Sequence, residues 1–409
     1  MSPAEKSPSP PGNILFGAYL LTGVFVFLVF VRAATTSITQ DEAATYLSYI
    51  KTWNLFDITH ANNHVLFSIL AAPVNLLSPY SEILLRVPNI ALMTVLSVIL
   101  SRKASRDLRH PILFLSFFFC GSYYFTEFWG LGRGYGTALF FNTVAVLYCV
   151  NPDPIRLTKA NVFLILGTLS NLSSIYLFAA FQFMLIYWLR GPRETHSVLH
   201  LLHSKRFLLL MTINAVAFLF FFYWGMSITD AKADPVFSGR TFWQSLKDSA
   251  PVIFSGLEAQ IIALLLLGGS ILFALTQRGF PRECVIFLAL AILLSCIPAW
   301  LNGDGKDHFL TKRLWIPYWP LACLPFIAIL GRVRNRALEN TRFNSALAIL
   351  LTTILLFGFA KQLTLAETMS WRKNYAQIHH LISTGCKPKR IRAHHLYYIE
   401  KYAISVRDC

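Results

Sequence analysis

The chain has 409 residues and a formal net charge of +16, with 55% of its residues hydrophobic and only 14% charged. Soluble domains carry about 25% charged residues, so an ordinary soluble enzyme is excluded. A nucleic-acid binder is argued against as well, because Lys and Arg collect in short connections between apolar runs instead of forming one continuous basic surface.

Apolar runs of about 17 residues or more, enough to cross a hydrocarbon core of about 30 Å, recur along the whole length. They predict spans at 14–32, 84–101, 111–127, 134–150, 160–175, 176–190, 207–228, 254–276, 284–301, 315–330 and 343–361. The expected fold class is therefore all-α polytopic, a bundle of eleven transmembrane helices. Residues 1–13 are polar and Pro-rich and read as a cytoplasmic tail. No small-residue cleavage site follows the first run, which is expected to stay as a helix. The connections 102–110, 151–160, 190–206, 277–283 and 331–342 hold sixteen Lys and Arg against five Asp and Glu, which assigns them to the cytoplasm.

The connections at 33–83, 127–133, 229–253 and 302–313 mix both signs and then face outward. The tail 362–409 follows them, although it carries nine Lys and Arg counting Lys361. One run fits no span: 64–78 is short, contains Pro73, and is forbidden by parity between 14–32 and 84–101. It is expected to be an interfacial or re-entrant segment within a large, partly embedded first outer connection.

That connection opens TTSITQDEAATYLSYIKTW. Thr39 can cap a helix starting at Gln40 or Asp41, with Glu42 in its first turn. The plain reading of Asp41 and Glu42 is that acids suit a helix N-terminus. The functional reading is a carboxylate pair within a few residues of the membrane. His60, Asn62, Asn63 and His64 follow as a polar cluster opening the embedded run, where polar groups are costly and usually functional. Among outward-facing cations, Arg86 lies in the first turns of its helix and needs a partner. Arg133 follows Glu127 at the turn between two spans. Lys306, His308, Lys312 and Arg313 lie in GDGKDHFLTKR. Glu127 either pairs with Arg133 or joins Asp41 in an acidic site, and Arg313 either binds phosphate or reaches to headgroups.

Other features weigh less. Phe242 and Trp243 in 229–253 either cover a site or lie on lipid. Trp300, Trp315, Tyr318 and Trp319 are read as interface anchors rather than sugar platforms. Of seven cysteines, five lie in apolar runs and none has metal-ligand spacing. Cys386 and Cys409 could pair in an oxidising compartment. Asn171-Leu172-Ser173 matches a glycosylation sequon but falls inside an apolar run.

An acid shortly after the first helix, an NNH cluster, LLRVPN (Leu84 to Asn89), FTEFWGLGRGYGTALFF (Phe125 to Phe141) and KRLWIPYWP (Lys312 to Pro320) occur in that order. This set resembles the GT-C glycosyltransferases, in particular the bacterial branch of Rgt-type galacturonosyltransferases related to protein mannosyltransferases and the lipid A aminoarabinose transferase. The resemblance spans roughly residues 14–330, and the tail is smaller than the outer domain of many relatives. It implies a transmembrane glycosyltransferase domain at 14–361, a polyprenyl-phosphate sugar donor, inverting transfer on the periplasmic or outer face of the cell's inner (plasma) membrane, and Asp41 at the catalytic acidic position.

The chemistry fits those residue types. Glycosyl transfer passes through an oxocarbenium-like state, and the acceptor hydroxyl needs a carboxylate to take its proton. The leaving lipid phosphate calls for cationic donors or a metal. The expected catalytic set is Asp41, Glu42 and Glu127, with Asp41 as base and Glu42 open to the plainer reading of a first-turn acid. The expected substrate-binding set is His64, Asn63, Arg86, Arg133, His308 and Arg313. If a divalent cation is used, Asp41, Glu127 and His64 are its candidate ligands. The partners expected are the lipid-linked donor, membrane lipids and a lipid, glycan or protein acceptor, without nucleic acid. The alternatives are a lipid or polysaccharide transporter or flippase, for which no convincing internal repeat is seen, a polymerase or ligase with its chemistry in a late outer loop, and a noncatalytic scaffold.

Overall fold

The computed structural model describes residues 12–58, 63–108, 110–122, 127–150, 152–190, 205–230, 237–239, 280–301, 308–310, 319–323, 348–360, 371–386 and 392–406, with a few single positions between 268 and 275 and at 346. Helix α1 (Gly12–Thr35) shows why a membrane is needed. Its buried stripe, Ala18, Thr22, Phe25, Val29 and Ala33, recurs every three or four residues, the spacing of one helical face. Its other face is apolar too, and Phe16, Leu20, Val24, Phe27 and Phe30 are exposed. An apolar face left open along a whole helix calls for a lipid surround.

The chain continues as α2 (Gln40–Thr45), which runs into a π-helical turn at Tyr46–Ile50, then α3 (Val65–Asn75) and α4 (Glu82–Asp107). Next come α5 (Pro111–Cys120), α6 (Gly134–Cys149), α7 (Pro154–Ser170), α8 (Ile175–Arg190), α9 (Lys205–Asp230) and α10 (Phe280–Leu301). A further apolar helix, α11, covers Ala348–Ala360. The C-terminal part forms α12 (Trp371–Thr384) and α13 (Ala393–Tyr402).

The architecture is helical, and three of its helices are long and apolar enough to cross a membrane: Gly12–Thr35, Glu82–Asp107 and Leu208–Gly225. The helices at 65–75, 111–120, 134–149, 172–188 and 348–360 are apolar but shorter. The run expected at 111–127 is helical to Cys120 and again at Glu127–Trp129, with 123–126 outside the described residues. The two spans expected at 160–175 and 176–190 meet at a real break. Helix α7 ends at Ser170, and Asn171 caps a 3-10 turn at Leu172–Ser174 by accepting from Ser173 N. The sequon residues thus make a joint between two helices.

Helix α3 has 11 residues, about 16 Å of rise, too short to cross a bilayer. A small antiparallel pair joins β1 (Phe237–Gly239) to β2 (His308–Leu310), an addition to the all-α expectation.

Apolar contact alone does not fix helices among apolar neighbours, so polar cross-links carry register. Thr22 and Ser101 join α1 to α4 through their hydroxyls at 3.1 Å. Asn161 of α7 donates to Asn214 of α9 at 2.6 Å, Asn214 to Gln182 of α8 at 2.7 Å, and Gln182 back to Asn161 at 3.0 Å. The three amides close a ring in which each gives and receives one hydrogen bond across three helices.

Candidate functional site

The site is built where α1 ends and α2 begins. Thr39 is the N-cap of α2: its hydroxyl accepts from Glu42 N, and Glu42 returns a carboxylate oxygen to Thr39 N at 2.8 Å. This capping box is the arrangement read from the sequence, and it holds the two adjacent acids in different places.

Glu42 points inward. It meets Arg86 of α4 in a two-pronged pair, Nε to Oε1 at 2.8 Å and Nη2 to Oε2 at 2.9 Å, with both side chains fully buried. Gly132 N donates to the same carboxylate. Arg86 also gives Nη1 to the carbonyls of Ala33 and Thr36, each at 2.6 Å, and Nη2 to that of Ser37 at 3.2 Å. All five guanidinium N–H groups are used, three of them on carbonyls at and beyond the end of α1 that the helix cannot satisfy itself. Burial pushes the Glu42 carboxyl up, but the Arg86 guanidinium and the backbone donors outweigh it and hold Glu42 below the usual carboxylate range. Glu42, expected as a catalytic acid, and Arg86, expected as a substrate cation, saturate each other in this structure and together clamp α1, α2 and α4.

Asp41 points the other way. Its Oδ2 receives Arg133 Nη1 at 2.6 Å, with 29% of the Asp41 side chain and 5% of the Arg133 side chain open to solvent. Arg133 also lies over the Tyr135 ring at 5.0 Å. Tyr135 packs against His64, with ring centroids 5.3 Å apart. His64 is buried and donates Nδ1–H to Ser170 O at 3.0 Å, since a carbonyl only accepts. A Cβ at Gly134 would collide with that carbonyl and with His64, so glycine there lets α6 begin against the α7–α8 joint.

The turn carrying Arg133 is gripped by a residue that sequence reading passed over. Asn89 Nδ2 donates to the carbonyls of Leu131 and Arg133 at 2.6 and 2.7 Å, and its Oδ1 accepts from Thr137 at 2.7 Å. With Glu42 on Gly132 N, three successive residues of the turn are tied. Asn89 was quoted only as the end of LLRVPN. The available signal was an amide inside an apolar helix, a costly placement unless it is used.

The other expected residues are more dispersed. Glu127 faces Arg32 of α1 at 3.6 Å; of the two partners expected for it, Arg133 lies with Asp41 instead. Asn63 is fully buried, donates to the carbonyls of Leu55 and Asp57, and accepts from Ser68. Expected as a substrate-binding residue, it fastens the 55–57 turn to the start of α3 in this structure. Asp41, Glu127 and His64 do not gather as one ligand set, and the described residues contain no group of three or more His, Cys, Asp or Glu able to hold a metal. His308 opens β2. Arg313, Lys306, Lys312, His60, Asn62, Phe242, Trp243, Trp315, Tyr318 and Cys409 lie outside the described residues, as do the side chains of His308 and Trp300. Trp319 is buried and donates Nε1–H to Phe118 O at 3.0 Å, so it packs inside rather than anchoring at an interface. Cys386 is disulfide-bonded.

The C-terminal helices roof this region. Ile38 N donates to the Tyr398 hydroxyl at 3.3 Å, and Lys401 binds both carboxylate oxygens of Glu82 at 2.8 and 2.9 Å. Glu400 accepts from Lys51 at 2.5 Å and from Tyr80 at 2.7 Å. The rings of Tyr46, Tyr80 and Tyr397 meet at centroid distances of 5.2 to 5.5 Å. Helix α13 therefore sits on the same side as the first connection. No protein-family model, curated protein or solved structure matches the chain.

Proposed function

We propose that the chain is an integral membrane glycosyltransferase that moves a sugar from a polyprenyl-phosphate donor to a cell-envelope acceptor. Asp41 is its general base, and its bundle is a GT-C-like one of about eleven spans. The observation that carries the reading is the division of the two acids. Asp41, next to the end of a membrane helix, keeps 29% of its side chain open beside Arg133, whereas Glu42 is consumed by the fold.

In the proposed step the acceptor hydroxyl gives its proton to the Asp41 carboxylate as its oxygen bonds to the anomeric carbon. The bond from that carbon to the phosphate oxygen breaks, and its electron pair leaves with the lipid phosphate. Arg133 orients Asp41 through their 2.6 Å contact and adds positive potential for the leaving phosphate. His308 and Arg313, from the late connection, belong to the phosphate side of the proposal. The site opens on the outer face, with the tail 362–409 on that side.

The test is transfer of a radiolabelled sugar from a polyprenyl phosphate by the purified chain and by Asp41→Asn. Loss of a general base costs about 10²- to 10⁴-fold, so the variant is expected to lose transfer by that factor while remaining folded. Undiminished transfer would remove Asp41 from the role. Movement of the intact donor across a vesicle membrane, without transfer, would favour a flippase instead.

A further inference from the structure

Two adjacent histidines of α13 are buried outside the site. His394 and His395 are 0% and 1% exposed, and their Nε2 atoms lie 3.1 Å apart. Neighbouring bonds decide where the protons sit. Nδ1 of His395 accepts Arg392 N–H at 3.0 Å, so neutral His395 carries its proton on Nε2. That N–H donates to Nε2 of His394, which must be bare. The proton of His394 is then on Nδ1, a buried atom with no hydrogen-bond partner among the described residues.

This chain of bonds has no room for another proton. A proton on His394 Nε2 would set two N–H groups against each other at 3.1 Å. One on His395 Nδ1 would face Arg392 N–H and untie the start of α13. Either way a buried charge would stand beside Arg392 without a counter-ion among the described bonds, a costly outcome. We infer that α13 is held on the first connection by a neutral histidine pair and leaves it as the pH falls. The inference does not rest on the reaction proposed for the site.

Other charged and titratable groups stand around α13. Glu82 holds Lys401, and Asp41 holds Arg133. His379 and His380 of α12 are exposed. Glu400 is held below the usual carboxylate range by Lys51 and Tyr80 against a smaller effect of burial, and Lys51 is raised by the same contact. Glu42 is held low by Arg86 against burial. The histidines behave differently: burial, with His395 and Arg392 adding to it, depresses His394 from 6.5 to about 4, and burial with Arg392 lowers His395. A depressed histidine contributes fully above its ordinary value of 6.5 and loses that contribution as the pH falls toward 4. Between pH 7.5 and 5.0, His394 alone changes the ratio of released to docked α13 by roughly 30-fold.

The experiment uses the full chain in lipid nanodiscs with nitroxides on Leu396→Cys and Phe56→Cys, both exposed positions. The chain without these two cysteines serves as the labelling background. One short spin–spin distance is expected at pH 7.5, with a longer population whose ratio to it rises roughly 30-fold by pH 5.0. The pair His394→Gln and His395→Asn keeps an acceptor for Arg392 N–H but cannot titrate, and its distances should not depend on pH. Wild-type distances unchanged from pH 7.5 to 5.0, or a pH response that survives in the double variant, would overturn the inference. Should the variant fail to fold, the nitrogen shifts of ¹⁵N-histidine in the wild-type chain decide. An Nε2–H form of His395 and an Nδ1–H form of His394 that persist at pH 5.5 in the docked state support the inference, and ordinary titration near 6.5 in the docked state contradicts it.

Discussion

Asp41 and Glu42 are neighbours in sequence and opposites in the folded chain. Glu42 lies in a sealed pocket where Arg86, Gly132 and Thr39 all reach it. Asp41 lies in a partly open one, with Arg133 at 2.6 Å and solvent beside it. The same residue class on the same helical turn thus does two jobs, because successive helical positions are about 100° apart. A saturated buried ion pair has little left to offer a substrate, while the Asp41–Arg133 pair leaves part of a carboxylate open to solvent. The comparison also separates the two arginines, since Arg86 braces the frame and Arg133, itself buried, holds the partly open Asp41.

The comparison can be broken by exchanging the two environments. The largest stability effect is expected from Glu42→Gln or Arg86→Met, each leaving a buried charge uncompensated or a carboxylate unpaired. Breaking such a pair costs about 3–5 kcal/mol, visible as a large fall in melting temperature in detergent. Replacing both partners together should cost less than either change alone.

Asn89→Ala comes next. It frees the carbonyls of Leu131 and Arg133 and is expected to cost about 1–3 kcal/mol, with transfer falling further than stability does if the turn positions Arg133. Gln182→Ala opens the amide ring and should cost about 0.6–1.7 kcal/mol, without changing the pH dependence of transfer. Lys401→Ala removes a partly exposed pair with Glu82 and should cost about 0.2–1 kcal/mol.

Acid sharpens the contrast. A carboxyl whose folded value lies below its unfolded 4.5 contributes stability above that value and loses it as the pH falls through the folded one. The Glu42 clamp should therefore give a melting temperature that declines below about pH 4.5, and Glu42→Gln should flatten that decline.

How much of this was legible depended on range. Local rules found the Thr39 cap, the start of α2 at Gln40 and the shortness of the run containing Pro73, because each depends on neighbours in sequence. Apolar length found α1, α4 and α9. It overran at 111–127, where the helix stops at Cys120, and it set the boundary between 160–175 and 176–190 a few residues past the joint at Asn171, which is hidden in an apolar stretch.

Pairing was not legible. Glu42 and Arg86 are 44 residues apart, and nothing in either segment marks the other. Glu127 was weighed against Arg133 because the two are close in sequence, yet the fold brings Arg32 to it. Asn63 looked functional because it is polar at a membrane boundary, and its amide is used entirely on local backbone and Ser68. Asn161, Gln182 and Asn214 carried the same signal of an amide in an apolar helix, which identifies a residue that needs a partner without saying which. The docking of α13 beside α2 required knowing that segments 360 residues apart meet.

The central claim is that Asp41 serves the reaction and Glu42 serves the frame. The most direct measurement takes Asp41→Asn and Glu42→Gln through the same two assays, melting temperature and sugar transfer from a polyprenyl phosphate at pH 7.5. The account predicts that Asp41→Asn melts within a few degrees of the wild type and loses about 10²- to 10⁴-fold in transfer, while Glu42→Gln loses stability first and transfer only in step with it. Full transfer by Asp41→Asn, or a Glu42→Gln protein that is stable yet inactive, would contradict it.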